Sequence, residues 1–71
     1  MTEERKRRSD RRQELLRARA ELEEIRFALD ESWQSFNRST DPALTEAYIF
    51  EINALRSRYD HVFKQLKTLA L

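Results

Sequence analysis

The side chains able to do chemistry are few and poorly spaced for it. His61 is the single histidine of the 71-residue chain, and there is no cysteine. One turn from His61 a helix would place Ser57 and Gln65, which are poor ligands for zinc. Ser39 and Thr40 have no base nearby, and their types suit a turn or a cap better than a nucleophile. We therefore predict no catalytic residue, no metal site and no cofactor.

The carboxylates do not form a catalytic pair either. Glu23 and Glu24 are adjacent in sequence, as are Asp30 and Glu31. Adjacent residues of a helix point about 100° apart, so neither pair can share a proton. The chain also contains no glycine from which a phosphate-binding loop could be built. We predict that the protein is not an enzyme and has no small-molecule substrate.

Basic residues are the remaining candidates for binding. Residues 1–19 hold eight basic and four acidic side chains, net +4; residues 20–51 hold two and eight, net −6; residues 52–71 hold four and one, net +3. The total of +1 conceals this division. Clustered positive charge attracts nucleic-acid phosphates or an acidic partner. The candidate contacts are Arg5, Lys6, Arg7, Arg8, Arg11, Arg12, Lys64 and Lys67.

Only one segment, residues 37–42, interrupts a helical pattern. Asp41 is a good N-cap residue, because its carboxylate can accept a hydrogen bond from the first free backbone N–H groups of a helix. Pro42, the single proline, fits the first helical position, where its missing N–H has no partner to lose. One turn therefore divides two helices.

Apolar residues on each side of this turn recur at alternating intervals of three and four, which is the heptad pattern of a helix that buries one stripe. The pattern predicts helices of equal length over residues 10–37 and 42–69, folded into an antiparallel hairpin with Leu22 near Tyr59. The two stripes are Leu15, Ala18, Leu22, Ile25, Leu29, Ser32 and Phe36, then Tyr48, Ile52, Leu55, Tyr59, Val62, Leu66 and Leu69.

The predicted domain organisation has two parts. Residues 1–12 form a basic arm, frayed or disordered, because they offer no apolar anchor. Residues 13–71 form a single all-α domain, the coiled-coil-like hairpin. Two helices alone leave the sides of the seam exposed to solvent, so we expect two hairpins to associate into a four-helix dimer. The predicted contact surface comprises Leu16, Phe27, Trp33, Phe50 and Phe63.

The chain resembles the YaaL-like family of small bacterial proteins of unknown function over residues 21–67. The resemblance is carried by the first stripe with Trp33, by the turn Asp41-Pro42-Ala43-Leu44, and by the segment Arg58-Tyr59-Asp60. Tyr48-Ile49, Ala54 and residues 64–67 also contribute. The chain departs from the family where Val62 and Phe63 replace paired leucines. The resemblance implies a bacterial helical hairpin and supplies no activity or site residue.

We expect a small structural or interaction protein of the cytoplasm that associates with itself or with another protein. No apolar run is long enough to span a bilayer, and before Leu15 there is no apolar face to insert into a membrane surface. The alternative is a nucleic-acid-binding accessory protein that uses the basic open end of the hairpin. Its binding would be electrostatic and independent of base sequence.

Overall fold

The computed structural model describes residues 2–70, which form two α-helices and a short connection. Helix α1 spans Glu3–Arg38 and helix α2 spans Pro42–Ala70. The helices pack against each other in a rod with principal extents of 60 × 14 × 14 Å. The predicted all-α hairpin of two helices is confirmed. Met1 and Leu71, the outer ends of the predicted arm and domain, lie outside the described residues.

Helix α1 is longer than we predicted. It begins at Glu3 rather than near Asp10 and contains 36 residues, against 29 in α2, so the expectation of equal lengths was wrong. The predicted start relied on the first apolar residues of the stripe. Arg, Lys, Glu and Gln favour helix even where they are not buried, so the helix begins earlier. Glu3 and Glu4 in the first turn favour the helix dipole, and Glu3 pairs with Arg7 at 3.7 Å. The division into an arm and a domain stays a prediction.

The connection between the helices consists of residues 39–41. Ser39 adopts extended backbone angles, φ −73° and ψ 136°, and its N–H donates to the Phe36 carbonyl at 3.3 Å. The backbone N–H of Ala43 donates to the Asp41 carboxylate at 2.9 Å. This is the N-cap hydrogen bond predicted from the sequence, and it starts α2 at the proline.

Replacing the cap residue should weaken the hairpin measurably. We expect Asp41→Ala to cost about 1 kcal/mol, because the N–H of Ala43 loses its acceptor. For a domain of this size that loss lowers Tm by roughly 4–8 °C. Thermal melts followed by circular dichroism measure it, with Asp41→Asn as the matched control that keeps a capping oxygen. Equal melting of the alanine variant and the parent would contradict a stabilising cap.

The hydrophobic core is a single seam between the helices. The most enclosed side chains are Ile25 and Val62, each 2% exposed. One polar residue of the described chain, Ser32, is buried at a position of the first stripe. The buried apolar residues are Ala18, Leu22, Ile25, Ile52, Leu55 and Val62; all but Ile52 form one cluster, against which Ala28, Leu29, Tyr59, Leu66 and Leu69 pack half-buried. Every one of these except Ala28 belongs to a predicted stripe, because a two-helix seam encloses only one stripe from each helix.

One ion pair shows how the helices are aligned. Glu21 Oε1 lies 3.7 Å from Arg58 Nη2 across the seam, next to the predicted neighbours Leu22 and Tyr59 of the core cluster. Extended along two antiparallel helices, this register brings Ala70 opposite about residue 10. Roughly the first two turns of α1 therefore have no part of α2 beside them. We call this segment, residues 3–9, the overhang.

Candidate functional site

The flanks of the seam form two broad faces. With the heptads lettered so that a and d lie on the buried stripes, Glu21 and Arg58 are both g positions, and they meet on one side of the seam. In an antiparallel pair the g rows of the two helices share one side and the e rows share the other. We call these sides the g face and the e face. Both are candidate binding surfaces.

The e positions of the e face are basic. Arg12, Arg19 and Arg26 follow one another at seven-residue intervals in α1, and Arg56 occupies an e position in α2. Seven residues are about 10.5 Å along a helix, so the α1 arginines form a straight row. Arg5 continues this row into the overhang. All of these arginines are exposed, and no e position within residues 2–70 carries a carboxylate.

The same face also carries the exposed aromatic residues closest to the core. Trp33, the next e residue after Arg26, is 44% exposed and packs edge-on against Phe36, with ring centroids 5.7 Å apart. Phe63, at an e position of α2, stacks on Tyr59 at 6.1 Å. Ile49, the e residue opposite Trp33 in this register, is also 44% exposed. The e face therefore combines a row of arginines on α1 with apolar side chains, two of them near the connection and one nearer the open end.

The g face is acidic. Whereas the charged e positions are all arginines, the g positions of the paired part carry Glu14, Glu21 and Glu51 against a single Arg58. Grooves run along this side of the seam, one beside Glu21 and Arg58 and others beside Glu14. Over the paired part of the hairpin, from Arg12 onwards, the e positions sum to +4 and the g positions to −2. The e and g rows thus differ in charge, although the b row that borders the e face adds four carboxylates, one of which, on Glu23, lies 3.6 Å from Arg26.

Phe27 and Phe50 lie on neither face. Each is 65% exposed and occupies an f position, about 170° around its helix from the core stripe. The two rings therefore point away from each other on opposite outer edges of the rod. Leu16, at a b position, borders the e face. Of the predicted contact surface, only Trp33, Phe63 and Leu16 are brought to one side of the hairpin.

The predicted basic contacts lie at the open end, and all are exposed. Those of the N-terminal segment occupy positions a, d, e, f and g, so they surround α1 instead of sharing one face. Lys67 Nζ lies 5.5 Å from the centroid of the Phe63 ring, a cation–π distance. Lys64 borders a groove together with Glu14. The structure therefore places these residues near one end but does not assemble them into a single patch.

Sequence reasoning missed Arg19, Arg26, Arg56 and Ile49 as surface candidates. Arg19 and Arg26 lie in regions of opposite net charge, so the net charge of each region does not group them. The signal that finds them is the seven-residue interval that repeats from Arg5 to Arg26. Lettering the heptads from the predicted stripes would have placed all four residues on the e face.

Comparisons with protein-family models, with curated proteins and with solved structures find no match to this chain. The resemblance to the YaaL-like family stays a prediction that rests on the residues quoted for it. Among the described residues, neither helix has a stretch long and apolar enough to cross a membrane.

Proposed function

We propose that this protein is a non-enzymatic interaction hairpin of the cytoplasm that associates with itself, with a four-helix dimer as the first assembly. The observation that carries the proposal is the e face, where Trp33, Ile49 and Phe63 each keep more than two fifths of their surface exposed. These side chains flank the buried seam, so a second hairpin can cover them and enlarge the core.

The small size of the core gives a physical reason for the hairpin to associate. Among the described residues the buried apolar side chains form one stripe per helix, and one of them is only an alanine. A chain of this size rarely gains more than about 3–5 kcal/mol from a single core. Burying two further aromatic rings and an isoleucine in an interface adds apolar contact that an isolated hairpin lacks. Association therefore stabilises the fold and covers the e face together.

Light scattering over a concentration series tests the proposal. We expect the mass to rise from 8.6 kDa at high dilution to at least twice that value as the concentration increases. The double variant Trp33→Gln/Phe63→Gln should stay monomeric across the range, because it removes the aromatic part of the e face. The control is Phe50→Gln, which removes an aromatic ring from an outer edge of the rod and should associate like the parent. A parent that is helical yet monomeric at every concentration would refute self-association.

The second candidate is a nucleic-acid-binding accessory protein. It is favoured by the helical overhang, where Arg5, Lys6, Arg7 and Arg8 are exposed around the whole circumference of α1. Deleting residues 1–12 distinguishes the two functions. If nucleic acid is the partner, binding to duplex DNA at low salt should be lost on deletion and should fall steeply with added salt in the parent. If the e face is the working surface, the deletion leaves the association of hairpins in place.

A further inference from the structure

The b row makes the e face a surface of mixed charge. Glu23 Oε1, in the b row, lies 3.6 Å from Nη1 of Arg26 in the e row. Lys67, also in the b row, places its Nζ 5.5 Å from the ring centroid of Phe63 in the e row. Rows e and b are about 60° apart around a helix, the same angle that separates a from d. A second helix can therefore pack along the e and b rows as α2 packs along the seam.

On α1 these two rows are complementary to themselves when a second copy runs antiparallel. In the e row two arginines and a tryptophan follow one another at seven-residue intervals, and in the b row a leucine, a glutamate and an aspartate do the same. Because the intervals match and the directions are opposite, one aligned pair fixes the others. Two-fold symmetry makes each pair occur twice. The pairs across the contact are Trp33 with Leu16, Arg26 with Glu23, and Arg19 with Asp30.

Helix α2 meets its own copy in the same arrangement. The register given by Glu21 and Arg58 puts the middle of this α1 contact level with about residue 55 of α2. Ile49 and Phe63 lie on opposite sides of that level, so each comes within about one turn of the other in the second copy. The exposed apolar side chains of the e face are thereby covered in pairs.

The remaining charges of α2 give one attraction and one repulsion. Glu46 comes within about one turn of Lys67 of the second copy, which adds a pair of opposite charge. Arg56 approaches its own symmetry mate, and like charges face to face are unfavourable. Asp60, one turn along the same helix, offsets only part of this repulsion. The attraction of the contact is therefore concentrated in the pairs of α1.

The charge along the whole rod also favours antiparallel copies. The segment of net −6, residues 20–51, lies at the turn end, and the segments of net +4 and +3 lie at the open end. Antiparallel copies bring each open end beside the turn end of the other, with the two overhangs projecting in opposite directions. The other two-fold arrangement, with the axis along the rods, places the overhangs side by side and Arg12 opposite Lys67.

We propose that two hairpins of this chain pack e face to e face and antiparallel, about a two-fold axis perpendicular to the rods, to form a closed four-helix dimer. The inference rests on the proposed self-association and specifies its orientation and its pairs. A second copy is the occupant because the e and b rows of α1 supply both partners of every α1 pair. Each e face is used up in the contact, so association stops at two.

Charge exchange within one chain tests the alignment. The single variants are Arg19→Asp and Asp30→Arg, and the double variant carries both substitutions. In the proposed dimer each single variant brings like charges together at two symmetry-related positions, whereas the double variant restores opposite charges there. The matched control is Arg17→Asp, which makes the same change of charge at a c position away from the e face. Sedimentation equilibrium at low salt measures the dimer dissociation constant, and thermal melts check that each variant folds.

We expect each single variant to dimerise about tenfold more weakly than the parent, and the double variant to recover the affinity of the parent. Arg17→Asp should dimerise like the parent. Arg56→Gln should dimerise more tightly, because it removes the repulsion between the two copies of this arginine.

Four results would overturn the proposal. A folded double variant that dimerises no better than the single variants would show that Arg19 and Asp30 do not face each other, while self-association stands. A weaker dimer of Arg56→Gln would place Arg56 opposite a carboxylate, as the arrangement with the axis along the rods does with Glu23. Growth of the parent past the dimer would exclude a closed contact. A parent that is monomeric at every concentration would refute the proposed self-association together with this dimer.

Discussion

Ile25→Asp is expected to unfold the hairpin. Ile25 is 2% exposed at the centre of the seam, so the substitution removes a buried aliphatic side chain and leaves a carboxylate among Leu22, Leu55 and other apolar neighbours. We expect a loss of more than about 4 kcal/mol, which combines the lost burial with the cost of an unpaired buried charge. A single small core rarely supplies more than about 3–5 kcal/mol in total. Far-ultraviolet circular dichroism should therefore show that most of the helical signal is lost.

The matched control for this prediction is two residues away. Phe27→Asp introduces the same carboxylate into the same helix, but Phe27 is 65% exposed and points away from the seam. This variant should keep the helical signal of the parent. A helical Ile25→Asp protein with unchanged melting would contradict the position of the seam, and an unfolded Phe27→Asp protein would show that the outer edge of α1 is not solvent-facing.

Leu22→Ala should lower the melting temperature by at least about 10 °C. Leu22 is 7% exposed, and truncating a buried leucine typically costs 2–5 kcal/mol through lost burial and the cavity left behind. In a domain of this size each kcal/mol shifts Tm by roughly 4–8 °C. Thermal melts must be compared at one protein concentration, because association raises apparent stability.

Leu16→Ala is the control for the leucine experiment. The substitution is chemically identical and lies in the same helix, but Leu16 is 54% exposed. It should change stability by no more than about 0.5 kcal/mol. Equal destabilisation by the two truncations would mean that the hairpin does not bury α1 on the stripe that contains Leu22.

The seam and the turn were predictable from sequence because each depends on short-range rules. The alternation of three and four between Leu22, Ile25 and Leu29 selects one side of a helix, whatever that side packs against. The pair Asp41-Pro42 predicts a helix start by itself, because a capping carboxylate followed by proline is typical of the first residues of a helix. Both features are present in the structure where the sequence predicts them.

The start of α1 and the character of the two faces were not predicted, for different reasons. The apolar pattern says where a helix is buried, and the exposed residues 3–9 show that helix continues beyond burial when the residues themselves favour it. The faces depend on which flank of α1 shares a side with which flank of α2. Heptad letters taken from the predicted stripes give that relation, and the ion pair between Glu21 and Arg58 shows it in the structure. Without the letters, Arg19 and Arg56 look like unrelated surface charges.

The overhang makes the two ends of the rod different from each other. One end closes in a tight, capped connection, and at the other a single helix projects alone with arginine and lysine on every side. A partner can therefore contact the projecting helix from every side, which the paired part of the rod does not allow.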